Sequence, residues 1–222
     1  MVDFKKYFLA ENYSRKAKEL YRKYISQQAF LVAGLGRCGT TLLTEALINS
    51  GLNPSMIFLE NLRTFSDYKG GYLYKTHDYP PPTMPENVKV IYLFRNPMNI
   101  ALSAYKKINE WGLVHHKHFH SDLFRPNEDI LERDTLHLER QFDSWFRPQK
   151  FSFISVKYEN LFDDSTLSLL NDFLNVELKF KNILPSSTDF KKHPKHEKLL
   201  NAYGSLANKI ERAPSCKVWE PE

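Results

Sequence analysis

The chain has 222 residues, 42% of which are hydrophobic, and it carries a formal net charge of +5. This length and apolar share predict a globular protein with a substantial core, which we take as a single domain over residues 1–222, and they exclude a disordered chain. The positive charge favours anionic ligands, but it is too small to indicate a nucleic-acid partner. The sequence shows neither a membrane span nor a secretion signal, so we expect a cytoplasmic protein.

The first third of the chain alternates between helical and extended patterns. Residues 1–27 mix aromatic residues with lysines and arginines, which predicts an N-terminal helical segment packed on the domain. An apolar run then predicts a strand at about 29–34, and a helical pattern follows at about 40–50. A short apolar segment at 56–59 precedes a β-rich run at 72–77 that ends in polar residues.

The strongest strand signal is Val88–Phe94, because a near-continuous apolar run is typical of a central strand buried on both faces. Asn96 can cap the next helix and Pro97 suits its first position, so we expect a helix to about residue 110. We further predict a loop or lid at 112–127, a helix at about 128–146, a strand at 151–156, and helices at about 165–175 and 196–211. This alternation predicts an α/β fold with a mostly parallel central sheet flanked by helices.

A glycine-rich segment links the first predicted strand to the first helix. Its spacing, Gly34-x-x-x-x-Gly39, is that of a P-loop, but Thr40 stands where nucleotide hydrolases and kinases carry lysine. Glycines let the backbone turn its N–H groups towards an anion, and the start of a helix adds a positive end. The segment therefore predicts a phosphate or sulfate site, and a plain glycine-rich turn is the alternative.

Polar groups that can bind anions follow four of the predicted strands. They are the glycine loop, Lys75-Thr76-His77, Arg95 and Tyr158. In open parallel sheets, ligands bind at the carboxyl ends of the strands. We therefore expect these four groups to form one site.

The cysteines and histidines indicate neither a disulfide nor a metal centre. A disulfide at Cys38 would obstruct the glycine loop, so we expect Cys38 and Cys216 to be free thiols in a reducing compartment. His115, His116, His118 and His120 crowd one loop, but no cysteine or carboxylate pattern accompanies them. We predict no metal, and a zinc site in this loop is the minor alternative.

Three motifs, in this order and at this spacing, resemble the PAPS-dependent sulfotransferases, where PAPS is 3′-phosphoadenosine 5′-phosphosulfate. They are Gly36-Arg37-Cys38-Gly39-Thr40-Thr41-Leu42, Tyr74-Lys75-Thr76-His77, and Leu93-Phe94-Arg95-Asn96-Pro97 with Ser103 eight residues after Arg95. The resemblance covers roughly residues 28–165. It implies a P-loop-like sulfotransferase fold and an enzyme that transfers a sulfuryl group from PAPS to a hydroxyl, or as a second choice an amine, releasing adenosine 3′,5′-bisphosphate.

The same resemblance implies which residues bind the donor. The 5′-phosphate and the sulfuryl group would be held by the glycine loop and the start of the helix after it, namely Arg37, Cys38, Gly39, Thr40, Thr41 and Leu42. Arg95 and Ser103 match the 3′-phosphate site, and Tyr158, Thr188 and Phe190 match adenine contacts. A guanidinium and fixed N–H groups can stabilise the charge that develops on the leaving group without a metal.

Lys75 and His77 resemble the catalytic pair of the cytosolic family members. His77 would take the proton of the acceptor, and Lys75 with Arg37 would stabilise the bridging oxygen as its bond breaks. Glu60 is an alternative base, because some family members use a glutamate downstream of the glycine loop. We prefer His77 because the Lys-Thr-His motif is intact.

Two departures from the family pattern concern the binding of the nucleotide. Leu42 replaces a tryptophan that often stacks on adenine, and no Arg-Lys-Gly segment follows near the C-terminus as a second clamp on the 3′-phosphate. The missing clamp favours a non-catalytic nucleotide-binding protein. An ATP-dependent small-molecule kinase is the other alternative, although Thr40 and the lack of a strand-end aspartate for magnesium count against it. The acceptor stays open among small molecules, lipids and carbohydrates, and a homodimer is compatible with this interpretation.

Overall fold

A computed structural model describes residues 27–51, 56–111, 130–180 and 188–222. The predicted N-terminal helical segment and the histidine-rich loop at 112–127 lie outside these ranges. The strands within them are β1 (Ala29–Gly34), β2 (Met56–Leu59), β3 (Leu73–Thr76), β4 (Val88–Phe94), β5 (Phe153–Lys157) and β6 (Cys216–Trp219). The α-helices within them are α1 (Thr40–Asn49), α2 (Pro97–Trp111), α3 (Leu138–Trp145), α4 (Asp164–Leu174) and α5 (His196–Arg212).

The six strands form one sheet in the order β2-β3-β1-β4-β5-β6. Every neighbouring pair is parallel except β5 and β6, which are antiparallel. The predicted α/β fold with a mostly parallel sheet is therefore confirmed. Ala33 of β1 lies opposite Thr76 of β3, and Gly34 lies opposite Leu93 of β4. The segments that leave β1, β3 and β4 consequently start side by side at one edge of the sheet.

The core forms around β1 and β4, as their apolar runs predict. All six residues of β1 are buried, and Lys89 is the only residue of β4 that is partly exposed. The ring of Trp145 in α3 stacks on Tyr92 of β4 with 4.8 Å between the ring centroids. Phe142 of the same helix contacts Phe94 edge-on at 5.7 Å. These aromatic contacts hold α3 on the part of β4 that leads into Arg95.

The prediction of a helix at about 128–146 is wrong over the described residues 130–137, because α3 begins at Leu138. The Asp134 carboxylate accepts hydrogen bonds from the N–H groups of Leu138 and Glu139 at 3.0 and 2.9 Å, which satisfies the start of the helix. His137 has a positive φ of 55°, so the chain turns at that residue. Upstream, the hydroxyl of Tyr203 donates to the carbonyl of Ile130 at 2.7 Å and fastens this segment to α5.

The C-terminal strand β6 was not predicted from the sequence. It pairs with β5 and covers the edge of the sheet, and the Trp219 ring stacks on Phe153 at a centroid distance of 5.8 Å. The Trp219 indole N–H donates to the hydroxyl of Ser155 at 2.9 Å. A strand of four residues carries too little periodicity to be distinguished from an irregular tail. Across the described ranges, none of the helices has the length and apolar character that crossing a bilayer requires.

Candidate functional site

The glycine loop, residues 35–39, joins β1 to α1 and lies against β4 and Tyr158. Gly39 has a φ of 100°, in the left-handed region that favours glycine. A Cβ atom added at Gly39 would overlap carbons of the Tyr158 ring, and one added at Gly34 would overlap the Leu93 carbonyl oxygen. Close approaches therefore require glycine at both positions, and at Gly39 the backbone shape requires it as well.

Within the loop, Cys38 faces the protein interior and Arg37 faces solvent. The Cys38 thiol is fully buried and donates to the carbonyl of Leu93 at 3.1 Å, and its amide N–H donates to the carbonyl of Leu35 at 3.2 Å. Arg37 is exposed and has a positive φ of 66°. Cys38 thus supports the loop from inside, which leaves Arg37 at the surface where an anion can approach.

We predict that Cys38 resists alkylation in the folded protein. Burial raises the pKa of Cys38 to about 12 from an ordinary value of 9.0, because a thiolate without solvation is disfavoured. The reactive thiolate fraction near neutral pH falls by about a thousandfold as a result. Timed iodoacetamide labelling at pH 8 followed by peptide mass spectrometry should find Cys38 unmodified in the native protein and labelled in denaturant. Rapid native labelling of Cys38 would contradict this packing.

Further predicted donor-binding residues divide between the core and the surface. Thr40 and Leu42 are buried at 3% and 9% exposure, whereas Thr41 is exposed. Lys75, at the end of β3, donates to the Thr41 hydroxyl at 2.7 Å. Arg37, Thr41 and Lys75 consequently present their polar groups at the mouth of the glycine loop.

The surroundings of Lys75 make its side chain easier to deprotonate than a lysine in water. Burial lowers the pKa of Lys75, and the positive charge of Arg37 lowers it further, while Cys38 and Glu45 act in the opposite direction. Two like charges near one loop repel each other when no anion is bound. An anionic ligand between them would relieve this repulsion, which is the electrostatic condition for a phosphate or sulfate site.

His77 follows β3 and is held by the end of β1. Its Nδ1 lies 2.9 Å from the carbonyl oxygen of Gly34, and only 9% of the residue is exposed. Since a carbonyl can only accept, Nδ1 must carry the hydrogen, and the neutral ring has its lone pair on Nε2. The ring also contacts Phe58 of β2 with 5.6 Å between the centroids. The imidazole is therefore oriented with a defined tautomer beside the glycine loop.

Sequence reasoning missed the residues that position the His77 backbone. The side-chain amide of Gln141 donates to the carbonyls of His77 and Asp78, and the Trp145 indole N–H donates to the Asp78 carbonyl at 3.1 Å. The Asp78 carboxylate in turn accepts from the N–H of Leu62 at 2.7 Å. One signal was available: Gln141 is a polar residue at a helical position whose neighbours on the same face are apolar and buried.

Arg95 leaves β4 as a buried cation and is only 4% exposed. Its guanidinium carbon lies 4.5 Å from the centroid of the Tyr158 ring, and its Nε lies 3.7 Å from a carboxylate oxygen of Glu159. Among the described residues, this Nε has no hydrogen-bond partner. A buried polar atom in this condition is uncommon, and an anionic ligand would satisfy it.

The helix α2 brings together the remaining predicted donor-binding residues. Arg37 Nε donates to the Ser103 hydroxyl at 3.2 Å, so the glycine loop and α2 are in contact. The amide N–H of Phe190 donates to the side chain of Asn99 at 3.0 Å, which places the segment that carries Thr188 and Phe190 beside the same helix. Phe190 is buried, at 7% exposure.

Two further predictions concern the alternative base Glu60 and a metal site. Glu60, the alternative base, is exposed and follows the edge strand β2, two residues after the Phe58 that contacts His77. Within the ranges that the structure describes, no group of three or more His, Cys, Asp or Glu residues is arranged to hold a metal ion. The four histidines at 115–120 lie outside those ranges.

Residues 56–212 match the model of the sulfotransferase domain family. The chain belongs to this family. The part of this sulfotransferase chain that matches contains Lys75, His77, Arg95, Ser103 and Tyr158, whereas the glycine loop precedes it. No match was found among curated proteins.

Several solved structures are similar to this chain at low identity. Mouse sulfotransferase SULT7A1 complexed with PAP is 16% identical, with 81% of this chain and 66% of that chain covered and a TM-score of 0.44. This chain thus spans about two thirds of the length of the mouse protein. Retinol dehydratase in complex with androsterone and inactive cofactor PAP is 16% identical, with 81% and 69% covered and a TM-score of 0.44. A sulfotransferase from Alicyclobacillus acidocaldarius is 15% identical, with 86% and 98% covered and a TM-score of 0.44.

Proposed function

We propose that this sulfotransferase-family protein transfers a sulfuryl group from PAPS to an acceptor hydroxyl, or as a second choice to an amine, with His77 as the general base. One observation carries the proposal: His77 Nδ1 is held by the Gly34 carbonyl at 2.9 Å, immediately before the glycine loop. The proposed base, with its defined tautomer, and the proposed anion-binding loop therefore share one edge of the sheet. Family membership supports the same chemistry.

Residues of the chain fit a donor that carries phosphate at both the 5′ and the 3′ position. Arg37, Thr41 and Lys75 would hold the 5′-phosphosulfate, because their polar groups meet at the mouth of the glycine loop. Arg95 would hold the 3′-phosphate, since its buried Nε lacks a hydrogen-bond partner among the described residues. Ser103 would contribute a hydroxyl beside Arg37.

In the transfer step, His77 Nε2 takes the proton of the acceptor hydroxyl while the acceptor oxygen bonds to sulfur. The bond between sulfur and the oxygen of the 5′-phosphate breaks, and negative charge develops on that oxygen. Lys75 and Arg37 stabilise this charge as preorganised cations, without a metal. His77 then returns its proton to solvent, and the products are the sulfated acceptor and adenosine 3′,5′-bisphosphate.

Substituting Arg95 with alanine should weaken the binding of adenosine 3′,5′-bisphosphate by roughly 10- to 100-fold, because a charge-assisted hydrogen bond is lost. Arg95→Lys should fall in between, since lysine keeps the charge but lacks the planar fork. Isothermal titration calorimetry measures both values. Arg212→Ala removes an exposed arginine at the end of α5 and is the matched control. Unchanged affinity in Arg95→Ala would remove Arg95 from the nucleotide site.

Thermal unfolding with different nucleotides tests the proposed donor against the kinase alternative. A ligand that binds the folded state raises the midpoint of unfolding. We expect adenosine 3′,5′-bisphosphate to raise it in a saturable manner and ATP with Mg²⁺ to leave it unchanged, because Thr40 replaces the P-loop lysine. Stabilisation by ATP with Mg²⁺ alone would contradict the proposed function.

A further inference from the structure

Two exposed arginines contact the ring of a tyrosine that closely follows the proposed base. Tyr79 comes two residues after His77, and its ring centroid is 5.7 Å from the guanidinium carbon of Arg63 and 5.4 Å from that of Arg140. Burial raises the pKa of the Tyr79 hydroxyl, and so do the carboxylates of Asp78 and Asp134, whereas the charges of Arg140 and Arg63 lower it, so both cations and both acids are near this side chain. We call Arg63, Tyr79 and Arg140 the arginine–tyrosine cluster.

The cluster is built on the same hydrogen bonds that position His77. Arg63 follows Leu62, whose N–H donates to the Asp78 carboxylate at 2.7 Å. Arg140 precedes Gln141, whose side-chain amide donates to the carbonyls of His77 and Asp78. Both arginines are therefore attached to backbone that is fixed to the His77–Asp78 segment. A ligand held by the cluster would lie beside the segment that carries His77.

The neighbouring acids are occupied by other groups. Glu139 and Asp143 both pair with Lys209 of α5, at 2.7 and 3.0 Å. The Asp134 carboxylate accepts the two N–H groups at the start of α3. Contact with an aromatic ring orients a guanidinium without neutralising it, unlike an ion pair. Both guanidinium groups thus remain available to pair with an anionic ligand, next to the carboxylates of Asp78 and Asp134.

We propose that the arginine–tyrosine cluster is an acceptor subsite for a carboxylate or sulfate group, so that the natural acceptor is an anionic molecule that carries a hydroxyl. This proposal rests on the proposed function, because it assigns the acceptor for the same His77. The guanidinium fork matches the planar oxygens of a carboxylate, and two such forks favour an anionic acceptor over a neutral one of the same shape. Tyr79, whose ring both guanidinium groups contact, supplies a flat surface for a sugar or aryl ring.

Two pairs of acceptor analogues test the subsite, each pair differing in one charge. They are 4-hydroxybenzoate against 4-hydroxybenzamide, and p-nitrophenyl β-D-glucuronide against p-nitrophenyl β-D-glucoside. Binding is measured by calorimetry on the full chain saturated with adenosine 3′,5′-bisphosphate. We expect the charged member of at least one pair to bind roughly tenfold more tightly, with a preference that declines as salt is added. The double variant Arg63→Gln/Arg140→Gln should lose most of this preference while its nucleotide affinity is unchanged.

The matched control is Lys89→Gln, which also removes a cation that contacts an aromatic ring. The Lys89 ammonium lies 5.0 Å from the Phe173 ring centroid, and Lys89 stands near the start of β4, away from the carboxyl edge of the sheet. Equal affinity for charged and neutral probes, no measurable binding of either charged probe at millimolar concentration, or an equal loss of preference in Lys89→Gln would overturn the subsite. Failure of the chain to bind adenosine 3′,5′-bisphosphate would instead overturn the proposed function itself.

Discussion

The variant His77→Ala should lose sulfate transfer and keep its affinity for adenosine 3′,5′-bisphosphate. A positioned general base typically contributes about 10²–10⁴-fold to turnover, so the loss should fall in this range. Binding survives because the charged groups that would hold the nucleotide are contributed by other residues. Turnover is measured with radiolabelled PAPS and affinity by calorimetry.

The variant His77→Asn distinguishes a general base at this position from a residue with only a structural role. His77→Asn keeps an amide N–H that can donate to the Gly34 carbonyl, which His77 Nδ1 contacts at 2.9 Å, but it has no basic nitrogen. We expect His77→Asn to be as inactive as His77→Ala. Recovery of turnover in His77→Asn would reduce His77 to a positioning residue. Near-normal turnover in His77→Ala together with inactivity of Glu60→Ala would make Glu60 the base.

The second large effect concerns stability, at Gly39. Gly39→Ala should lower the free energy of unfolding by about 2–4 kcal/mol. A Cβ is unfavourable in the left-handed conformation, and the added atom overpacks its surroundings. The φ of Gly39 is 100°, and the added atom would overlap the Tyr158 ring, which itself lies 4.5 Å from the Arg95 guanidinium carbon. The variant should therefore lose nucleotide affinity as well, because the loop and Arg95 share Tyr158 as a neighbour. Urea unfolding and calorimetry measure the two effects.

Gly204 offers the matched control for this substitution. It lies inside α5, and a Cβ atom added there would meet no atom within 4 Å. Gly204→Ala should raise the free energy of unfolding by about 0.5–1 kcal/mol, since alanine restricts the unfolded chain and favours a helix. Equal changes in the free energy of unfolding at Gly39 and Gly204 would show that the close approach of Gly39 to Tyr158 does not affect stability.

The strands nearest the site were predictable because their signals are local. The apolar runs of β1 and β4 and the cap at Asn96 follow from short-range rules, and the structure has β1 at Ala29–Gly34 and β4 at Val88–Phe94. Asn96 caps α2 as expected, since its side chain accepts from the N–H of Met98 at 3.0 Å. The rule that parallel strands align their carboxyl ends then brings the glycine loop, His77 and Arg95 to one edge.

Features that depend on contacts between distant segments were not predictable. The start of α3 is set by the Asp134 carboxylate, and a buried Gln141 bonds a segment more than sixty residues earlier. The contact between Arg37 and Ser103 and the pairing of β6 with β5 also join distant parts of the chain. Helical periodicity within one segment contains no information on such partners.

Transfer of radioactive sulfur from labelled PAPS tests the central claim most directly. The purified chain is incubated with labelled PAPS and a pool of hydroxyl-bearing metabolites, and labelled products are separated by chromatography. We predict a labelled acceptor together with adenosine 3′,5′-bisphosphate in the wild-type reaction, and both products at a rate lower by about 10²–10⁴-fold with His77→Ala. Saturable binding of PAPS without label transfer to any acceptor, in wild type as in His77→Ala, would contradict the account and leave a non-catalytic nucleotide-binding protein.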